Sequence, residues 1–162
     1  MTKTSKAVTP SDFQRKNEGP SEVSKIGGWD YGSLEDAFPN VKPGLKPFGD
    51  KVLVQIRTPM TRTKTGFILP QESREVEKWN TQVAKVIAVG PVAFKNRDTL
   101  QPWPEKAWVH EGMFIRCPMY GGDRWHVRVP GSPDPALFAL FRDVDLSGEI
   151  EGDPLEMVAY FE

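Results

Sequence analysis

Apolar and polar residues alternate through the middle of the chain, and that alternation predicts strands. In Lys51-Val52-Leu53-Val54-Gln55-Ile56-Arg57, Val52, Val54 and Ile56 share one face, while Lys51, Gln55 and Arg57 fall on the other. Period two of this kind is the signature of a half-buried β-strand. Residues 83–89 are apolar on both faces and stop at Gly90-Pro91, residues 113–117 stop at Pro118, and residues 125–129 alternate cleanly before Pro130-Gly131. Residues 137–141 form a further short apolar run. Five or so short strands between turn residues, without a long amphipathic helix, predict an all-β fold: a small, partly open antiparallel β-barrel. One turn of helix is expected around residues 33–38, with Ser33 as its N-cap.

Composition divides the chain. Residues 1–44 are rich in Lys, Ser, Pro and Gly, and bury too little apolar surface to offset the entropy of ordering them. They read as an extended N-terminal arm, flexible or partner-bound, with Trp29, Tyr31, Leu34 and Phe38 making its second half stickier. Residues 45–151 form the barrel, and residues 152–162 a C-terminal extension. The chain has 162 residues, enough for one domain plus extensions, and its 15 prolines and 14 glycines favour short strands and turns over a helix bundle.

Charge removes several classes of function. A net charge of -1, with 27% charged residues, lacks the basic surplus that a general nucleic-acid binder needs to displace counterions. No apolar run is long enough to span a bilayer, and the opening residues lack the apolar stretch of a signal peptide, so no membrane partner is expected. The one cysteine, Cys117, excludes an internal disulfide framework and a thiol-rich zinc site, and points to a reducing compartment.

The long connection between the first two strands, about residues 57–82, is the most informative segment. Connections usually run about 2–6 residues. This one holds Thr65-Gly66-Phe67-Ile68-Leu69-Pro70 within a polar sequence. Three consecutive large apolar residues there are either a plug folded back on the barrel or a peptide presented to a partner's groove. Gly66 frees the backbone before the tripeptide, and Pro70 restricts it afterwards.

Conventional chemistry is missing. His110, His126 and Cys117 could bind a metal only by a coincidence of folding, and Cys117 has no helix start nearby to activate it. Residues 143–150 read like the start of an EF-hand loop, but the twelfth position, which requires a bidentate Glu, is Pro154. There is no phosphate-binding loop and no nucleophile elbow. The chain reads as a non-enzyme, with no catalytic residues, no metal site and no cofactor.

Several segments, taken in order, resemble the GroES-type co-chaperonins. Leu45-Lys46-Pro47-Phe48-Gly49-Asp50-Lys51-Val52-Leu53-Val54 is similar to the family's opening strand, and Thr65-Gly66-Phe67-Ile68-Leu69-Pro70 to its mobile loop. Val83-Ala84-Lys85-Val86-Ile87-Ala88-Val89-Gly90 matches the strand after that loop. Val109-His110-Glu111-Gly112-Met113-Phe114-Ile115 resembles the family's Val-x-x-Gly-Asp-x-Val turn, with Met113 in place of Asp. Tyr120-Gly121 and residues 142–151 complete the series, the latter as a closing strand that is polar here at Ser147-Gly148-Glu149. The resemblance also explains residues 143–150 better than calcium does.

It implies a GroES-like barrel with a mobile loop, and residues 91–104 forming a roof-like hairpin or a surface loop with Phe94 and Trp103 packed on the barrel. It implies a co-chaperonin whose Gly66, Phe67, Ile68, Leu69 and Pro70 bind a GroEL-type chaperonin ring and cap it to assist folding. Self-association into a seven-membered ring would follow from pairing of the closing strand with a neighbour's first strand. Localisation would be cytoplasmic, in a bacterium or an infected host cell. The alternative is a structural barrel of a virus particle, a capsid decoration anchored on a viral capsid protein by its arm. Bacteriophage-encoded relatives could carry such extensions.

Overall fold

The alternating segment at residues 51–57 becomes the centre of the sheet. The computed structural model describes residues 33–58 and 82–157. Its strands are β1 (Lys51–Ile56), β2 (Val83–Val89), β3 (Phe114–Arg116), β4 (Asp123–Val127), β5 (Ala136–Arg142) and β6 (Gly148–Glu149). They form one six-stranded antiparallel sheet in the order β4-β5-β1-β2-β3-β6. This open, all-β arrangement agrees with the expected fold class. A single turn of helix, α1 (Leu34–Ala37), precedes the sheet, and its cap is Ser33, whose hydroxyl accepts from the Asp36 N–H.

Period two accounts for one face. Val52, Val54 and Ile56 of β1 meet Ala84 and Val86 of β2, Ile115 of β3, and Ala139 and Phe141 of β5 in the main core. The apolar reading of β2 on both faces has a specific cause. Leu53 pairs with Ala88 but Val54 pairs with Val86, so Ile87 is an extra residue in a β-bulge. The bulge lets Val86 and Val89, three residues apart, both pack on the main core, while Ile87 and Ala88 pack on a second cluster around Leu53 and Phe138.

The opposite face of β1 differs from the sequence expectation. Gln55 is 4% exposed and Arg57 only 1%, so β1 is buried on both sides rather than half-buried. The cover comes from the segments on either side of the barrel. Gln55 Nε2 donates to the Pro39 carbonyl at 2.8 Å, and Arg57 Nη1 donates to the Pro154 carbonyl at 2.7 Å. Polar side chains tolerate such burial because each finds a backbone acceptor.

Residues 33–44, part of the stretch that composition assigns to an arm, lie along this face. Ala37 and Phe38 are buried with Val83 and Ile150, the Phe38 ring is 5.3 Å from that of Phe114, and Trp125 Nε1 donates to the Pro43 carbonyl at 2.9 Å. The polar composition of the stretch conceals this docking, because two apolar side chains and a few exposed carbonyls are enough to make it. Residues 1–32 lie outside the described residues.

Residues 94–103 fold back as a hairpin. Lys95 bridges Pro102 in antiparallel fashion, and the Trp103 N–H donates to the Phe94 carbonyl at 3.1 Å. Asn96 Oδ1 accepts from the N–H groups of Asp98 and Thr99, which shapes the tip. Phe94 is buried in the main core, with its ring edge-on to Trp103 at 5.6 Å. The hairpin and the packed aromatic pair therefore coexist.

Gly90 closes the link between β2 and the turn before β1. Its N–H donates to the Lys51 carbonyl at 2.8 Å, and a Cβ there would lie 2.7 Å from that same oxygen and closer still to the Gly49 carbonyl. No side chain fits between two backbone oxygens. Gly90→Ala is expected to destabilise the fold by roughly 1–3 kcal/mol, seen as a lower urea midpoint at unchanged m-value.

Candidate partner-binding site at the base of the long loop

The long loop leaves the sheet after β1 and returns into β2, so its two ends are neighbours. The Arg57 N–H donates to the Val83 carbonyl at 2.8 Å, and the Gln82 carbonyl accepts from the Cys117 N–H at 2.8 Å. Arg116 Nη2 donates to Gln82 Oε1 at 2.7 Å. On the departing side, the Thr58 N–H donates to the Ala37 carbonyl at 2.9 Å. The base is thus held by β1, β2, β3 and the segment around α1. The residues that sequence reading places in the partner-binding tripeptide and its frame, Gly66, Phe67, Ile68, Leu69 and Pro70, lie outside the described residues. What the structure adds is the hydrogen bonding of the described positions on either side of them.

Arg57 is the residue that sequence reading misplaced. Period two puts it on a solvent face, yet its guanidinium reaches the Pro154 carbonyl and, at 3.4 Å, that of Leu155. The only signal available in the sequence is its position immediately before the loop.

An ionic cluster joins the hairpin at residues 94–103 to the strand ends. Arg97 Nη2 lies 2.7 Å from Asp143 Oδ1 and 3.1 Å from Asp50 Oδ2, and Arg142 Nε lies 3.4 Å from Asp50 Oδ2. Asp143 is fully buried at the start of the 3-10 turn Asp143–Asp145. Its Oδ2 accepts from the Phe94 N–H at 2.8 Å, and Oδ1 also accepts from the Val144 N–H at 2.9 Å. This carboxylate, first in the EF-hand-like run, is engaged in fastening the hairpin. Phe94 has a φ of 59°, a conformation costly for a bulky side chain, and the Asp143 bond helps to hold it.

The remaining candidate groups are dispersed. His126 is exposed on β4 and His110 is exposed in the turn before β3. Among the described residues no three His, Cys, Asp or Glu side chains are grouped to hold a metal ion. Also among them, no helix is long and apolar enough to cross a membrane. Burial pushes the Cys117 thiol up to about 11, against the opposing pull of Arg124 and Arg116, and its Sγ donates to the Gln82 carbonyl at 3.3 Å.

The described geometry is a six-stranded sheet, a long connection hydrogen-bonded at both ends, and an aromatic hairpin fastened by ion pairs. Comparison with known proteins agrees. The family model described as Chaperonin 10 Kd subunit matches residues 44–110. The mitochondrial 10 kDa heat shock protein of Oryzias latipes is 33% identical over 103 residues, covering 64% of this chain and 90% of that protein. The co-chaperonin GroES of Methylacidiphilum infernorum is 30% identical over 112 residues, 69% of this chain and 99% of the relative. The mitochondrial 10 kDa chaperonin of Arabidopsis thaliana is 31% identical over 109 residues, 67% and 96% of the two chains.

The chain belongs to the GroES-type co-chaperonin family, and its function is that of a co-chaperonin. This family is not known for enzymes. The named relatives come from a bacterium and from mitochondria, and nothing in the comparisons supports a capsid or bacteriophage role.

Two tests follow from the electrostatics. Partial burial raises the Asp50 pKa, but the bond from Arg142 and the charges of Arg97 and Lys51 outweigh it, holding the carboxyl below its ordinary value of 3.8. A folded-state value below the unfolded one gives stability that is present above the unfolded value and lost as pH falls through the folded one. The stability advantage of wild type over Asp50→Asn should therefore shrink on acidification from about pH 6 to about pH 2, measured by urea unfolding. Cys117, with about one thiol in a thousand ionised at about pH 8, should resist iodoacetamide in the folded chain and react once urea exposes it.

Proposed function

We propose that this co-chaperonin caps a GroEL-type chaperonin ring through the loop between β1 and β2, with Phe67, Ile68 and Leu69 as the contact and Gly66 and Pro70 framing it. The observation that carries the reading is the loop's base. An apolar tripeptide in a polar connection is attached to paired, buried strand ends, tied by the bond from the Arg57 N–H to the Val83 carbonyl.

Magnitudes favour several copies acting together. Burying each of the three side chains contributes about 1.5–3 kcal/mol, while ordering the loop costs about 1 kcal/mol or more per residue. One loop binds feebly. On a ring, each loop after the first engages at the effective concentration set by the scaffold. We infer self-association into a seven-membered ring matching a chaperonin rim. β1 has both edges occupied, by β5 and β2, and β6 pairs with β3 of its own chain. The pairing of the closing strand with a neighbour's first strand is therefore not available to β1 here; the sheet's open edges are β4 and β6, and ahead of β1 Leu45 and Phe48 are 40% and 85% exposed. The site of action is the cytoplasm, where the chaperonin ring is met.

The test is a gel-filtration shift of a purified chaperonin ring with nucleotide. Wild type should comigrate with the ring, Phe67→Ala should reduce comigration, and Ile68→Asp should abolish it while leaving the circular dichroism spectrum unchanged. Retention of Ile68→Asp on the ring would contradict the loop's role.

A further inference from the structure

The segment ahead of β1 and the residues that follow β6 meet at one place, and that place is the root of the long loop. Ala37 and Phe38 on the N-terminal side, and Ile150, Leu155 and Met157 on the C-terminal side, pack in one cluster with Val83, the first β2 residue after the loop. At the other root, the Thr58 N–H donates to the Ala37 carbonyl, and the Arg57 guanidinium donates to the carbonyls of Pro154 and Leu155. The elements that do this fixing, residues 33–43 and 150–157, lie outside the stretch matched by the family model, residues 44–110.

We propose that these flanking segments form a collar that preorganises the loop for the chaperonin, with Arg57 as the positioning residue that couples the C-terminal segment to the loop. The inference rests on the capping reading and concerns how that loop is presented. Its physical basis is entropic. β1 ends at Ile56, so Arg57 and Thr58 lie beyond the last strand residue, where a chain normally begins to fray. Fixing a backbone before binding removes the cost of fixing it on binding. The collar holds both roots, Arg57 and Thr58 on one side and Val83 on the other, so these positions are fixed before any partner arrives. The buried guanidinium makes both bonds from its Nη1 atom, at 2.7 Å to the Pro154 carbonyl and 3.4 Å to that of Leu155, so a lysine ammonium could reproduce part of the contact. Nothing in the collar needs to touch the chaperonin.

The experiment compares full-length wild type, Arg57→Met, Arg57→Lys, Phe38→Ala and Ile68→Asp. Each is titrated against a GroEL-type ring with nucleotide by calorimetry, with amide hydrogen exchange recorded on the unbound chain. Arg57→Met should speed exchange at Thr58 and Val83 while leaving β4 and β5 amides such as Phe138 unchanged, and should weaken ring binding about tenfold per loop, the equivalent of one or so additional residues to order. Arg57→Lys should recover part of the loss. If Arg57→Met does not unfold cooperatively, Phe38→Ala, which loosens the collar from its other half, carries the same expectation. Faster exchange at the roots with wild-type affinity would overturn the collar alone. Failure of wild type to bind the ring would overturn the capping reading, and the collar with it.

Discussion

The whole molecule depends on the burial of β1 on both faces. One face needs only alternating valine and isoleucine against its sheet neighbours. The other carries Leu53, packed with Ala136 and Phe138, and Gln55, with Arg57 just past the strand's end, and the two polar side chains donate to the backbone carbonyls at Pro39, Pro154 and Leu155. A buried guanidinium without acceptors would cost several kcal/mol. The segments before and after the sheet are thus part of the fold, because they complete the hydrogen bonding of its central strand.

A second constraint operates at the opposite end of β1, where Asp50, Arg97, Arg142 and Asp143 gather. Exposed ion pairs contribute little on their own. Asp143 differs, since it is sealed from solvent and satisfies the backbone of Phe94 as well as Arg97. It turns a stretch that would otherwise wander over the surface into a hairpin with an aromatic base in the core. The loop end and the hairpin end of the molecule are both tied to β1, which makes that strand the common reference for the two appendages.

This arrangement ties both ends of the long connection into the sheet, through the bond from the Arg57 N–H to the Val83 carbonyl and that from the Cys117 N–H to the Gln82 carbonyl. The family relationship supplies the function.

The strands, their approximate limits and the all-β class were legible in the sequence because period-two alternation and glycine or proline stops are local signals. The family was legible because its motifs recur in order. The fate of residues 33–44 was not, since docking there relies on Phe38 finding Phe114 and on carbonyls finding donors far along the chain. Nor was the burial of Arg57, whose partner lies 97 residues away in sequence. The bulge at Ile87, the engagement of Asp143 and the burial that raises the Cys117 thiol are likewise properties of neighbours that only folding brings together. Alternation along a strand tells which residues share a side; what comes to lie against that side is decided by the rest of the chain.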